Sequence, residues 1–162
     1  ELANDNFKVI VLRPPMIYGP GSKGNYQILA KLAKVLPVFP DVDNERSMLY
    51  IENLCEFLCQ IMLGDSFSAN SIVLIPQNRE WVRTSDRVRY IAETNGNEIK
   101  LLKTVKPIIL LVSKIPGTIG TLANKAFGNC AYSKQLCLDG IFYQKVTLKE
   151  SIKETERIVC KY

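Results

Sequence analysis

The sequence predicts an α/β fold organised on a parallel sheet, and three observations lead there. Val9–Leu12 (VIVL) and Ser71–Ile75 (SIVLI) are short, unbroken apolar runs rich in β-branched residues. Side chains alternate across a sheet, so an unbroken run reads as a strand covered on both faces, the habit of inner parallel strands. Several of the intervening and following segments carry apolar residues at helical spacing instead. Both runs also stop at proline, Arg13-Pro14-Pro15 after the first and Pro76 after the second. Proline has no N–H to give a ladder and turns the chain out of the sheet.

The stretch Lys8–Tyr26 organises the rest. After the first strand, Gly19, Pro20, Gly21 and Gly24 make a tight loop, placed beyond the carboxyl end of a strand, where open α/β sheets bind ligands. A helix is expected over Asn25–Leu36, with Tyr26, Leu29, Ala30, Ala33 and Leu36 on one face, Asn25 as N-cap and Pro37 as terminator. Ser47–Ile51 reads as a short strand and Glu52–Leu63 as a helix closed by Gly64. Ser71–Ile75 then extends the sheet. A helix capped by Thr84 or Ser85 runs to Thr94 and ends at Asn95-Gly96. Lys100–Val105 is a connector with strand character, Pro107–Gly128 holds two short helices broken at Pro116-Gly117, and Leu148–Cys160 is the last helix.

Composition sets bounds on function. At 162 residues and 47% hydrophobic the chain can bury one sizeable core. The formal charge of +5 suits a phosphate-bearing ligand or an ordinary solvated surface, and is too small and scattered for a nucleic-acid footprint. Histidine is absent, which excludes His-based triads, His general bases and most catalytic zinc sites. Five cysteines, an odd number without a signal-peptide pattern, read as free thiols in a reducing cytosol, so a cytoplasmic location is expected. Cys55 and Cys59 lie one helical turn apart and read as small buried residues rather than half a metal site; no metal is expected. No apolar run reaches the roughly 20 residues that span a bilayer. For the apolar, lysine-flanked Pro107–Gly128, packing within a lobe or against a dimer partner is the expectation and peripheral membrane contact the alternative.

Gly19–Gly24, GPGSKG, formally matches the dinucleotide fingerprint G-x-G-x-x-G, with Asp41 about 20 residues on. The spacing excludes it. The first glycine should occupy the turn directly after the strand, whereas Arg13–Tyr18 intervene. The strand that would carry the ribose-binding acid shrinks to Val38-Phe39 between Pro37 and Pro40, with no expected room to pair.

R-P-P-x-x-Y-G-P-G (Arg13–Gly21) after an apolar strand, followed by E-R-S-M-L-Y-I-E-N-L (Glu45–Leu54), resembles the second half of extended short-chain dehydrogenase/reductases, the nucleotide-sugar epimerase and dehydratase family. Ser133–Thr155 is similar to that family's closing segment and last helix. The resemblance implies the C-terminal part of a Rossmann-like, doubly wound sheet plus a mostly helical substrate-binding lobe. Residues 1–23 would close the NAD-binding half and 24–162 form the lobe with further strands. The catalytic Y-x-x-x-K is missing: Tyr18, Tyr26, Tyr50, Tyr90, Tyr132 and Tyr143 have no lysine four residues on. Glu1–Asn6 resembles the tail of the helix that carries it, so the chain is expected to be an inactive fragment with no catalytic residue of its own.

The resemblance also implies site roles. Pro14 and Pro15 would lie near the nicotinamide of an NAD held mainly by the other half. Arg46 would contact the substrate diphosphate, for which a planar, permanently charged fork is suited; from the residues alone, an ion pair with Asp41, Asp43 or Glu45 is equally open. Asn25, Tyr26 and Tyr18 would line the sugar-nucleotide site. Met16 stands where many relatives have an asparagine that contacts the ligand. Arg79, Arg83, Arg87 and Arg89 read as a solvated helix face or as the completion of an anionic site. The expected partner is a nucleotide-diphosphate sugar, and the parent is expected to be a homodimer. The implied function is that of a UDP-glucose 4-epimerase-like enzyme; the alternatives are a 4-keto-sugar reductase or dehydratase and a non-catalytic, dehydrogenase-like binding protein.

Overall fold

The computed structural model describes residues 3–4, 7–63, 71–103, 127–133 and 142–159. In chain order these form β1 (Val9–Leu12), β2 (Met16–Tyr18), α1 (Asn25–Val35), β3 (Val38–Pro40), β4 (Met48–Tyr50), α2 (Ile51–Leu63), β5 (Ser71–Leu74), α3 (Thr84–Thr94), β6 (Lys100–Leu102) and α4 (Leu148–Val159). The strands make three two-stranded ladders, β1 with β5, β2 with β4 and β3 with β6. All three are parallel, in the registers Val9↔Ser71, Met16↔Met48 and Val38↔Lys100. Parallel partners need crossover connections, and each pair here is separated in sequence by at least one helix. The α/β expectation with parallel strands is therefore borne out.

β4 divides the core in two because successive strand residues point to opposite faces. Met48 and Tyr50 join Tyr18, Tyr26, Leu29 and Ala33 against Val88, Ile91 and Ala92 of α3 and Ile152 of α4. Leu49 faces the other way, onto Phe57 of α2, Leu74 and Tyr143. The crevice loop fits between these layers only because Gly19 has no side chain. A Cβ there would stand 2.5 Å from Cγ2 of Ile51. α4 starts from a capping box, in which Glu150 accepts from the Thr147 N–H at 3.1 Å and the Thr147 hydroxyl accepts from the Glu150 N–H at 3.4 Å.

Several local expectations are corrected. β1 is covered on one face, not two: Ile10 and Leu12 pack onto the Leu49 cluster, while Val11 and its partner Val73 stay 39% and 44% exposed because no described element lies over them. Val38-Phe39 does pair. The ladder uses the carbonyl of Pro37, which accepts from Lys100, and the N–H of Asp41, which donates to Leu102, so neither flanking proline is asked for a donor. Asn25 is not the cap of α1 but its first helical residue; Gly24 holds the cap position at φ 81°, a conformation that side chains resist, with no side-chain cap bond. Neither Thr84 nor Ser85 caps α3, since both are already helical. Asn44 does so from outside, accepting from the Thr84 N–H at 2.9 Å and donating to its hydroxyl at 3.0 Å. Cys55 and Cys59 are exposed, because the buried side of α2 is set by Asn53 and Phe57. The two helices expected within Pro107–Gly128 lie outside the described residues except for positions 127–128. No described helix is long and apolar enough to cross a membrane.

Candidate functional site

The loop that leaves β2 is anchored by a directional chain of hydrogen bonds. Asn78 donates to the Tyr18 hydroxyl at 3.0 Å, Tyr18 bonds Ser151, and Ser151 donates to the carbonyl of Leu148 at 2.8 Å. Since the Ser151 hydrogen is used on Leu148, Tyr18 is the donor in the middle link. Asn78 also accepts from the backbone of Tyr50 at 3.0 Å and from Asn53 at 3.2 Å. Asn53 in turn holds both polar groups of the Val146 backbone, at 3.0 Å each. Strand ends β2 and β4, helix α2 and the approach to α4 are thus tied at one point. Of this set, only Tyr18 is among the expected site residues, while Asn53 falls within the Glu45–Leu54 motif, where it keeps hydrogen-bonding capacity in place of an acid.

Arg46 sits at a three-way junction. Its backbone exchanges two 3.1 Å hydrogen bonds with Val82, while the next N–H, of Ser47, reaches Cys130 at 2.9 Å. Its guanidinium donates to the carbonyl of Gly128 at 2.8 Å. The carboxylates that could have taken it are engaged elsewhere or unpaired with it: Asp41 binds Arg83 at 3.2 Å, and no described acid forms an ion pair with Arg46. The ion-pair alternative is therefore not what the fold adopts. A half-buried, positioned guanidinium with donors to spare can accept an anion.

A second arginine lies behind it. Arg87 of α3 is 2% exposed, which corrects its reading as part of a solvated face. Its side chain donates to the sulfur of Met48 at 3.3 Å, and its Nε has no partner. Burial, and then the neighbouring charge of Arg46, bring its pKa down to about 10. Arg83 and Arg89, by contrast, are paired with Asp86 at 2.7 Å and 3.1 Å.

Of the predicted site residues, the structure brings Tyr18 and Tyr26 together as stacked rings 5.6 Å apart, with Tyr50 tilted against Tyr18 at 5.5 Å. Arg87 lies within electrostatic reach of both Tyr18 and Tyr26 on one side and of Arg46 on the other. Asn25 is half-buried at the start of α1 with no side-chain bond among the described residues. Pro15 is buried and Pro14 half-buried. Tyr26 points towards α4, beside the Glu156 carboxylate but outside hydrogen-bond geometry.

Three tyrosines carry strongly raised pKa values. Burial lifts Tyr18 to about 12. Burial also raises Tyr26 and Tyr50, helped by the nearby carboxylates of Glu156 and Glu154. Between the unfolded tyrosine value near 10 and these higher ones, the folded chain holds more protons than the unfolded chain, so stability falls as pH rises. Arg87 acts with the opposite sign over the same window, one group against three. In a spectrophotometric titration, at least these three of the seven tyrosines are expected to ionise only as the chain unfolds. Titration of all seven near their ordinary value, with the circular dichroism unchanged, would show that the three are not buried as described.

No family model matches the chain. It is 32% identical to UDP-glucose 4-epimerase of Vibrio cholerae over 95 residues, which cover 56% of this chain and 28% of that protein. In fold it is similar to UDP-N-acetylglucosamine 4-epimerase from Bacillus cereus (TM-score 0.64, 11% identity, 94% of this chain and 48% of that one). It is also similar to dTDP-glucose 4,6-dehydratase from Bacillus anthracis in complex with NAD (TM-score 0.60, 16% identity, 94% and 44%). The chain thus spans less than half the length of these relatives. The sequence likeness is thus to a UDP-glucose 4-epimerase over about half of this chain, and the likeness in fold is shared by epimerases and a dehydratase.

Proposed function

We propose that this chain is the substrate-binding portion of an NAD-dependent nucleotide-sugar 4-epimerase, and that Arg46 grips the diphosphate of a UDP-sugar. The reading rests on one observation above the others. Arg46 is held by backbone bridges on two sides and by Gly128, yet no described carboxylate neutralises it. Arg87 adds a second positive charge behind it, and the start of α1, uncapped by any side chain, leaves N–H donors near Asn25. Tyr18 and Tyr26 would act from beneath, setting the loop and helix rather than donating to the ligand through Tyr18, whose hydroxyl is already committed.

The residues present fit NAD only at one end. Pro14, half-buried beyond β1, offers C–H surface without an N–H, which suits packing against a nicotinamide but not holding a pyrophosphate; Pro15 is buried and presents no such surface. NAD, when bound, supplies hydride transfer to and from the sugar. The Y-x-x-x-K pair that would move the hydroxyl proton is not in the chain, so the chain alone is expected to bind without turning substrate over. Because the fold is shared with a dehydratase, the choice of epimerase leans on the curated sequence relative.

The test is a titration of a fusion that supplies a dinucleotide-binding half upstream of Glu1. Arg46→Ala should weaken UDP-glucose binding about 10- to 100-fold, the loss of a charge-assisted hydrogen bond of about 1.5–3 kcal/mol. An unchanged dissociation constant would remove Arg46 from the site.

A further inference from the structure

α1 is apolar on more than its buried side. Tyr26, Leu29, Ala30 and Ala33 face the core, while Ile28, Leu32 and Val35, at i, i+4 and i+7, form a second stripe that is exposed. A surface helix keeps its outer face polar, and one that is apolar on both faces is normally covered on both. The stripe then continues along the chain. Val35, Leu36, Pro37 and Val38 are four consecutive apolar residues, all exposed, Val35 by 79%. Such a run is a liability in water unless something covers it.

The β3–β6 ladder extends the same surface. Phe39 and Leu101 pack into the core, so the alternate residues point outwards: Val38 opposite Lys100 and Pro40 opposite Leu102, with Val38 and Leu102 exposed. Lys31 flanks the stripe on α1, and Lys100 and Lys103 stand at either end of Leu101-Leu102. All three lysines are exposed, and none has an ion-pair partner among the described residues. Asp41, which follows Pro40, is bound to Arg83, and Glu98 is the only other acid close in sequence. The face is positive on balance.

Its chemistry selects its partner. Protein interfaces are enriched in aromatic residues, methionine and arginine and depleted in lysine, and their binding energy concentrates in Trp, Tyr and Arg anchors. Here the exposed side chains are aliphatic and ringed by lysine, with no exposed aromatic, methionine or arginine among them. That is the composition of a surface that lies in the boundary between acyl chains and anionic headgroups.

We propose that the face formed by α1, the Val35–Val38 run and the β3–β6 ladder docks on an anionic phospholipid surface. The aliphatic side chains enter the headgroup–acyl boundary, and the three lysines meet lipid phosphates. Arg46 and Tyr18 take no part in this face, so it and the nucleotide-sugar reading can fail separately.

The test is co-sedimentation of the chain with vesicles of phosphatidylglycerol and phosphatidylcholine in equal parts. Pure phosphatidylcholine vesicles serve as the neutral surface, and hydrogen–deuterium exchange locates the contact. The chain is expected to sediment with the mixed vesicles only, less so as salt rises, with exchange slowed over residues 28–38 and 100–103. Lys31→Gln, Lys100→Gln and Lys103→Gln should each lower the partition coefficient about five-fold, the equivalent of about 1 kcal/mol per lysine near the surface. Val35→Ser should lower it about ten-fold. These side chains are exposed, so the variants keep the fold, and Arg46→Ala should sediment as the unaltered chain does. No sedimentation with the mixed vesicles overturns the proposal and leaves the face to a second copy or to residues 104–126. It is equally overturned by equal binding to both kinds of vesicle, by slowed exchange confined to other residues, or by a triple lysine variant that binds unchanged.

Discussion

Replacing Tyr18 with alanine is expected to destabilise the chain by about 3–5 kcal/mol, the range for deleting a buried aromatic ring. The ring is 1% exposed and touches Tyr26 and Tyr50, so the surrounding strands and helices cannot close the space cheaply. Against a total stability of about 5–15 kcal/mol, that loss leaves the chain close to unfolded at room temperature. Tyr18→Phe separates packing from hydrogen bonding. It keeps the ring but strands Asn78 and Ser151, and should cost about 1–3 kcal/mol. Urea denaturation read by tryptophan fluorescence of Trp81 and by circular dichroism gives both numbers. Equal losses for the two variants would mean that the hydroxyl, not the ring, holds the loop.

Arg87→Met is expected to move stability the other way, raising it by about 1–4 kcal/mol. A buried guanidinium whose described side-chain contact is a thioether is a charge without compensation, and replacing a buried ion by an apolar side chain of similar volume is often stabilising. The denaturation midpoint should rise with the slope unchanged. In the nucleotide-binding fusion the same variant should weaken UDP-glucose binding, because it withdraws the positive charge behind Arg46. Such opposition between stability and function is the usual mark of a charge kept for a ligand. A loss of stability in Arg87→Met would show instead that the charge is compensated in the fold.

How far the fold could be read from the sequence depended on the range of the deciding interaction. The apolar runs at Val9 and Ser71 and the helical spacing of Tyr26, Leu29, Ala30 and Ala33 are local signals, and the elements formed there. Burial of β1 on both faces was misread because coverage depends on what packs over Val11, which no local pattern states. β3 was dismissed on its prolines, yet its ladder bonds fall on Pro37's carbonyl and Asp41's N–H. The cap of α3 comes from Asn44, 40 residues away in sequence. Arg46 stood out by its motif. Asn78 and Arg87 did not, since one lies in an unremarkable loop and the other among arginines that are indeed solvent-facing. α4 begins at Leu148, as expected from the sequence, and the T-x-x-E box at Thr147 is the local signal that starts it there.

The most direct test of the proposed nucleotide-sugar grip is a crystal structure of the fusion with UDP-glucose bound. The account predicts a phosphate oxygen about 2.7–2.9 Å from a guanidinium nitrogen of Arg46, the spacing of a charge-assisted hydrogen bond, with the sugar held over the Gly19–Asn25 loop. A diphosphate seated elsewhere, with Arg46 bonded to Gly128 alone, would contradict it.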